Sequence, residues 1–247
     1  MGQCRSSQIG KRILWRTGIF LVGIITMFKL GSAAAMLSTM LVSLAIYAWA
    51  FGWKFAVGLV ILLFVHELGH VIAAVIVGLG PSTPLFVPFI GAVISLNQPP
   101  HNAKMAANIA IGGPAFGTLS ALIFLLGYLW TDSMLMLVLA YTACIVNLFN
   151  LIPYGLLDGG RIAAAIWPRM WWWWAALAGG LFFYTHNFFL LVILTISLYH
   201  LWRGGQVKYD ERYYDLSLRQ RIRVACWYFG LVTMLGILTI YVINLLK

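Results

Sequence analysis

The sequence predicts an all-α polytopic membrane protein of about six to seven transmembrane helices, interrupted by one short re-entrant or β segment. Three observations predict it. Hydrophobic residues make up 62% and charged residues 9% of the 247-residue chain, whereas soluble domains are roughly half apolar and a quarter charged. Several apolar runs reach the roughly 20 residues that a helix needs to span a bilayer, and mean hydropathy is +0.93. The basic residues behind the net charge of +10 gather at the ends of those runs, as the positive-inside rule requires. That placement assigns the charge to anionic headgroups and not to a nucleic acid.

Residues 1–32 read as a basic N-terminus and interfacial lead-in. Arg5, Lys11, Arg12 and Arg16 put 1–16 on the cytoplasmic side. Residues 17–31, broken by Lys29 and Gly31, either lie in the interface or join the next span as a tilted helix. No small-residue cleavage site stands out, so the segment is expected to be retained. A first clear span covers 33–51, Gly52-Trp53-Lys54 turns the chain, and a second span covers 55–78.

From 80 to 104 the character changes. Pro81, Pro84, Pro88, Pro99 and Pro100 forbid a continuous helix. Residues 85–96 are nevertheless apolar and rich in β-branched and aromatic side chains, which predicts an extended strand or a re-entrant segment. A third span, 107–130, opens with Gly112-Gly113-Pro114-Ala115-Phe116-Gly117. Its Gly113 and Gly117 have the spacing that lets helices pack closely. A fourth span covers 134–152. Trp167 and the run Trp171 to Trp174 read as an interfacial aromatic belt. Apolar runs 171–185 and 188–202 complete a core of 33–202, followed by a basic cytoplasmic loop, 203–223, and a C-terminal helix, 224–247. With the N-terminus inside, alternation places 79–106, 153–170 and 203–223 on the cytoplasmic face, where most of the basic residues lie. A separate span at 17–31 would invert this sorting. Cys4, Cys144 and Cys226 are far apart without a C-x-x-C spacing, which implies neither a disulfide framework nor a cysteine zinc site.

Inside the second span lies Val65-His66-Glu67-Leu68-Gly69-His70. Histidines four apart on a helix project from one face, a turn apart, so both imidazoles can reach a single metal ion. A glutamate beside the first can act as base on a water at that metal, the H-E-x-x-H pattern of zinc hydrolases. With 5 histidines and only two glutamates, Glu67 and Glu211, in the chain, the pattern arises by chance on the order of 10⁻³ times. The bland alternative is a buried polar cluster satisfied by neighbouring helices. It must account for an ionisable group whose charge costs roughly 2.5–3.5 kcal/mol at the bilayer centre.

A catalytic zinc usually takes three protein ligands and a water. Besides Glu67, the membrane part offers Asp132, in an outer turn, and Asp158, on the side to which the helix of His66 and His70 returns. Asp158 follows the helix breaker Pro153 and precedes Gly159-Gly160, where backbone can approach closely. It could equally cap the next helix, with Gly160-Arg161-Ile162 as the first turn, and the two roles can coexist.

His66-Glu67-Leu68-Gly69-His70 in a membrane helix, with Asn150-x-x-Pro153-x-x-x-Leu157-Asp158-Gly159-Gly160 two spans later, resembles the site-2 protease family of intramembrane zinc metalloproteases. Pro88 to Ala92 and Gly112 to Gly117 resemble the family's stretches at those places, and the likeness extends over about 33–202. The family often carries a further proline before Leu-Asp-Gly, where this chain has Gly155-Leu156. The resemblance implies zinc (Zn2+) bound by His66, His70 and Asp158, Glu67 as the catalytic base, and Asn150 as the substrate-positioning asparagine. Asn147 is a weaker candidate on the same helical face. It also implies peptide-bond hydrolysis in transmembrane segments, in a prokaryotic plasma membrane, with a transmembrane protein substrate, the lipid bilayer and a membrane regulatory protein as partners. The segment 85–96 is then expected near the active site, holding an unwound substrate by strand addition.

Two other classes compete. A zinc-handling transporter, or an inactive relative with a structural zinc site, would tolerate Glu67→Gln. A membrane zincin acting on soluble or prenylated substrates usually supplies a glutamate as third ligand, and no spare membrane glutamate exists here. His101, His186 and His200 read as interfacial or loop residues.

Overall fold

Where the described residues run apolar without a cluster of prolines, they are helical. The computed structural model describes residues 32–79, 85–87, 91–93, 98–154, 157–168 and 211–247, with isolated helical positions between 176 and 195. The expected lead-in at 1–31, the tryptophan run, His186, His200 and nearly all of 171–202 lie outside the described residues.

The chain divides into two compact units, one of residues 1–60 with 82–95 and the other of 61–81 with 96–247. In the first, helix α1 (Ser32–Phe51) is followed by the opening turns of α2 (Trp53–Ile76). The described residues of the apolar segment after the first prolines form two short paired strands. Strand β1 (Leu85–Val87) pairs antiparallel with β2 (Gly91–Val93), in the register Leu85 to Val93, Phe86 to Ala92 and Val87 to Gly91. Pro88 cannot donate to a ladder, and it falls between the strands. Strand β1 packs on α1.

The second unit begins with the rest of α2. That helix stops at a left-handed Gly78 (φ +82°), with Gly78 N–H donating to Val75 O (3.0 Å) and Leu79 N–H to Ala74 O (2.9 Å). This is a Schellman end, and Leu79 buries against Ala74 and Ile109 as its apolar contact. Helix α3 (Ala103–Thr131) starts four residues before the expected 107, because Asn102 caps it by accepting from Met105 N–H at 2.9 Å. Gly112 to Gly117 therefore lie well inside α3 and do not open it. There α2 and α3 cross backbone to backbone: a Cβ on Gly69 would run into the Gly112 carbonyl. Helix α4 (Met134–Asn150) returns after Asp132 and Ser133, and a turn at Leu151–Tyr154 leads towards the short α5 (Asp158–Ile166).

Helix α6 spans Leu218–Leu246, entering the expected loop by six residues. Ser217 and Gln220 form a reciprocal capping box at its start. A short 3-10 turn, Glu211–Tyr214, precedes it. Helix α3 packs on α4 and α5, and α6 packs on all three. Leu62, Leu137, Leu151, Ile162, Val224 and Leu235 are fully buried in the shared core.

Among the described residues, three helices are long and apolar enough to cross a membrane: α2, α3 and α6. At 24 or 29 residues they extend about 36–43 Å, more than the roughly 30 Å hydrocarbon layer. Their outer faces carry Ile61, Leu119, Ile123, Leu126, Ile237 and Ile240 in the open. Such a coat suits lipid and not water, so the chain is an integral membrane protein. Two expected spans, 171–185 and 188–202, fall almost wholly outside the described residues, and α1 and α4 are shorter apolar helices.

Candidate metal centre

Helix α2 supplies His66 and His70. Four residues apart, their rings meet edge to face one turn apart, with centroids 4.9 Å apart and planes at 83°. The third group comes from α5. Asp158 lies in the first turn of that helix, after Leu157 at the cap position, so it is not the capping residue. A carboxylate there is also favoured by the positive end of the helix dipole.

Asp158 Oδ2 lies 3.3 Å from His66 Nε2 and 3.2 Å from His70 Nε2. The two Nε2 atoms are 3.2 Å apart. The side chains are only 5%, 12% and 11% exposed for His66, His70 and Asp158. Among the described residues these three form the group of ligand atoms that a metal ion could join, all within 4.8 Å of one another.

What occupies the far side of each imidazole decides what this cluster can be. His66 Nδ1 is 2.8 Å from Asn147 Oδ1, and His70 Nδ1 is 2.8 Å from the Ile109 carbonyl oxygen. Both partners are oxygens that accept, so each Nδ1 carries the proton and each Nε2 of the neutral ring presents a lone pair. Gly113 N–H also lies 3.3 Å from His70 Nδ1; the shorter contact to a pure acceptor governs the tautomer. Three electron-pair donors thus converge in a buried space, an arrangement that a proton or a metal ion among them would relieve.

The spacing fits zinc. A tetrahedral ion with bonds of about 2.0–2.1 Å separates its donors by about 3.3 Å, and the three observed separations are 3.2, 3.2 and 3.3 Å. Two imidazoles and a carboxylate, leaving a fourth position for water, are the donor set of an open zinc site. Glu67 is buried beside His66 and stands outside the ligand group, within electrostatic reach of His66, His70 and Asp158.

Glycines make the site possible. A Cβ on Gly113 would collide with the imidazole edges of His70 and His66. A Cβ on Gly159 would strike the carbonyl oxygens of Leu151 and Ile152, so the chain at Asp158 lies flat on the turn that ends α4. Tyr228 of α6 donates its hydroxyl to that same Leu151 carbonyl at 2.7 Å. Arg221 reaches the other end of α5, donating to Ile166 O at 2.9 Å and to Tyr214 O at 2.8 Å.

The two asparagines separate here. Asn147 is completely buried and bonded to His66. Asn150 is half-buried and donates Nδ2 to Val146 O of its own helix at 3.1 Å. His101 is exposed and lies outside the metal-ligand group.

No protein-family profile matches the chain. It is 34% identical over 134 residues to a Mycobacterium tuberculosis protein named zinc metalloprotease Rip3, a match covering 51% of this chain and 34% of that one. It is 29% identical over 149 residues to a chloroplastic rice protein named zinc metalloprotease EGY2, covering 42% and 27%. These two relatives support a resemblance to the site-2 protease family. The chain spans about a third of the length of the curated relatives it matches, and zinc suits both their names and the buried His66, His70 and Asp158 group.

Proposed function

We infer that the chain is an intramembrane zinc metalloprotease that hydrolyses peptide bonds within or near transmembrane segments of membrane-protein substrates, in regulated intramembrane proteolysis. The observation that carries this reading is the convergence of His66 Nε2, His70 Nε2 and Asp158 Oδ2 at 3.2–3.3 Å, with a buried glutamate next to them, in a helix long and apolar enough to cross a membrane.

Zinc held by these three residues would supply Lewis acidity to a water and to the scissile carbonyl. The chain's own residues do the rest. Glu67 takes a proton from the attacking water as its oxygen bonds to the carbonyl carbon. The same carboxyl then returns the proton to the amide nitrogen as the C–N bond breaks, leaving a carboxyl and an amine terminus. Burial of Glu67 excludes competing bulk water. A transmembrane helix hides its carbonyls in its own hydrogen bonds, so the substrate must unwind before it is cut.

The finer architecture belongs to the same proposal: six to seven spans, a cytoplasmic N-terminus in a prokaryotic plasma membrane, Asn150 positioning substrate, and the β1–β2 segment holding it by strand addition. A membrane regulatory protein is the expected partner. The test is cleavage of single-span substrates in proteoliposomes by wild type and Glu67→Gln. Cleavage inside the span by wild type, with a loss of about 10²–10⁴-fold in Glu67→Gln, supports the reading. Equal behaviour of the two would favour the transporter or structural-site class.

A further inference from the structure

We propose that Asn147 is a positioning residue of the metal centre, its side-chain amide fixing the tautomer and ring orientation of His66. The proposal rests on the zinc-site reading and deepens it.

The two imidazoles are oriented by different kinds of acceptor. His70 donates to the main-chain carbonyl of Ile109 (2.8 Å), which no side-chain substitution removes. His66 depends on a side chain 81 residues away, donating from Nδ1 to Asn147 Oδ1 at 2.8 Å. Which end of that amide faces the ring is decided by its other contact. Asn147 Nδ2 donates to Ala143 O at 2.7 Å; a carbonyl oxygen can only accept, so the amide oxygen is the end left for His66. An imidazole nitrogen facing an amide oxygen carries the proton. His66 Nε2 is therefore left as a lone pair, aimed at Asp158 Oδ2 and His70 Nε2.

Burial makes the assignment stringent. Asn147 is 0% exposed, in a helix built mostly of apolar residues, where a polar amide without partners would cost a few kcal/mol. Its two hydrogen bonds offset that cost, and one of them ends on a metal ligand. The fold also leaves room for the amide. A Cβ on Gly117 would overlap the Asn147 side chain, just as one on Gly113 would overlap the two rings. The paired glycines of α3, spaced as if for helix packing alone, thus sit under the imidazoles and under the group that orients one of them.

The test is zinc affinity of the full chain in detergent, by competition with a chromophoric chelator, for wild type, Asn147→Asp and Asn147→Leu. Loss of an orienting partner typically weakens a metal site by about 10–100-fold. Asn147→Leu should fall in that range and shift the absorption bands of the cobalt-loaded protein. Asn147→Asp keeps an acceptor for the Nδ1 proton and should stay within about fivefold of wild type. A residue that only fills space predicts the reverse order, because leucine is near in volume and a lone aspartate buries a charge. Asn147→Leu binding like wild type, or Asn147→Asp binding weakest, overturns the proposal. Should Asn147→Leu fail to fold, Asn147→Asp decides alone: retention within about fivefold supports the proposal, and a larger loss overturns it. A wild type that binds no zinc removes the site reading and the proposal together. Wild-type binding with Asn147→Leu unaffected removes the proposal only.

Discussion

His66 and His70 need one helix to face the same way; Asp158 needs several other parts of the chain to meet them. On α2, a spacing of four residues puts the two rings on one face, a turn apart. Asp158 begins α5, whose nine residues are too few to hold a helix by themselves. Its place is set by Gly159 lying on the Leu151–Ile152 turn, by Tyr228 bonding Leu151, and by Arg221 holding the far end at Ile166. One part of the donor set is placed on its face by helix periodicity, the other is placed by tertiary contacts open to influence from a distance. The C-terminal helix, outside the stretch that resembles the family, supplies two of those long-range contacts.

The contrast can be broken most severely at Gly159. Gly159→Ala inserts a methyl against two backbone carbonyls, which cannot swing aside as a flexible side chain can. Overpacking of this kind costs about 1–3 kcal/mol. Zinc affinity should fall at least about tenfold as Asp158 is lifted from the histidines; chelator competition would measure it, and unchanged affinity would mean the turn does not set the ligand. Tyr228→Phe is gentler, since it removes only the hydroxyl and leaves the buried Leu151 carbonyl short of a donor. A cost of about 1 kcal/mol corresponds to a loss of roughly fivefold in zinc affinity if the strain passes to Asp158. A thermal-melt shift with no change in zinc binding would confine the contact to stability. Ser217→Ala should do least. It breaks the capping box of α6, lowering stability by about 0.5–1 kcal/mol, with zinc affinity within about twofold of wild type because the cap lies ahead of both Tyr228 and Arg221.

The same contrast explains what the sequence made readable. The histidine pair and Glu67 were legible because helix periodicity alone relates them. Asp158 was legible because Pro153 stops α4, Gly159-Gly160 permit close approach, and few other membrane acids exist. Asn147 and Asn150 were not separable, since residues three apart share a helix face; α4 packs on α3 with Asn147 buried and bonded to His66 and Asn150 half-exposed. Gly113 and Gly117 signalled close packing, but not that imidazoles and an amide would fill the space. Hydropathy also misplaced the start of α6, because it marks where lipid-facing residues begin and not where hydrogen bonding begins. Arg219, Arg221 and Arg223 are helical although they are charged.

Zinc per purified chain, for wild type, Glu67→Gln and Asp158→Ala, tests the central claim most directly. Near-stoichiometric zinc in wild type and Glu67→Gln, lost in Asp158→Ala, is the result the three-donor site predicts, with Glu67 left to act on water. Loss in Glu67→Gln with retention in Asp158→Ala would contradict it, since the ligand and the base would then have been exchanged.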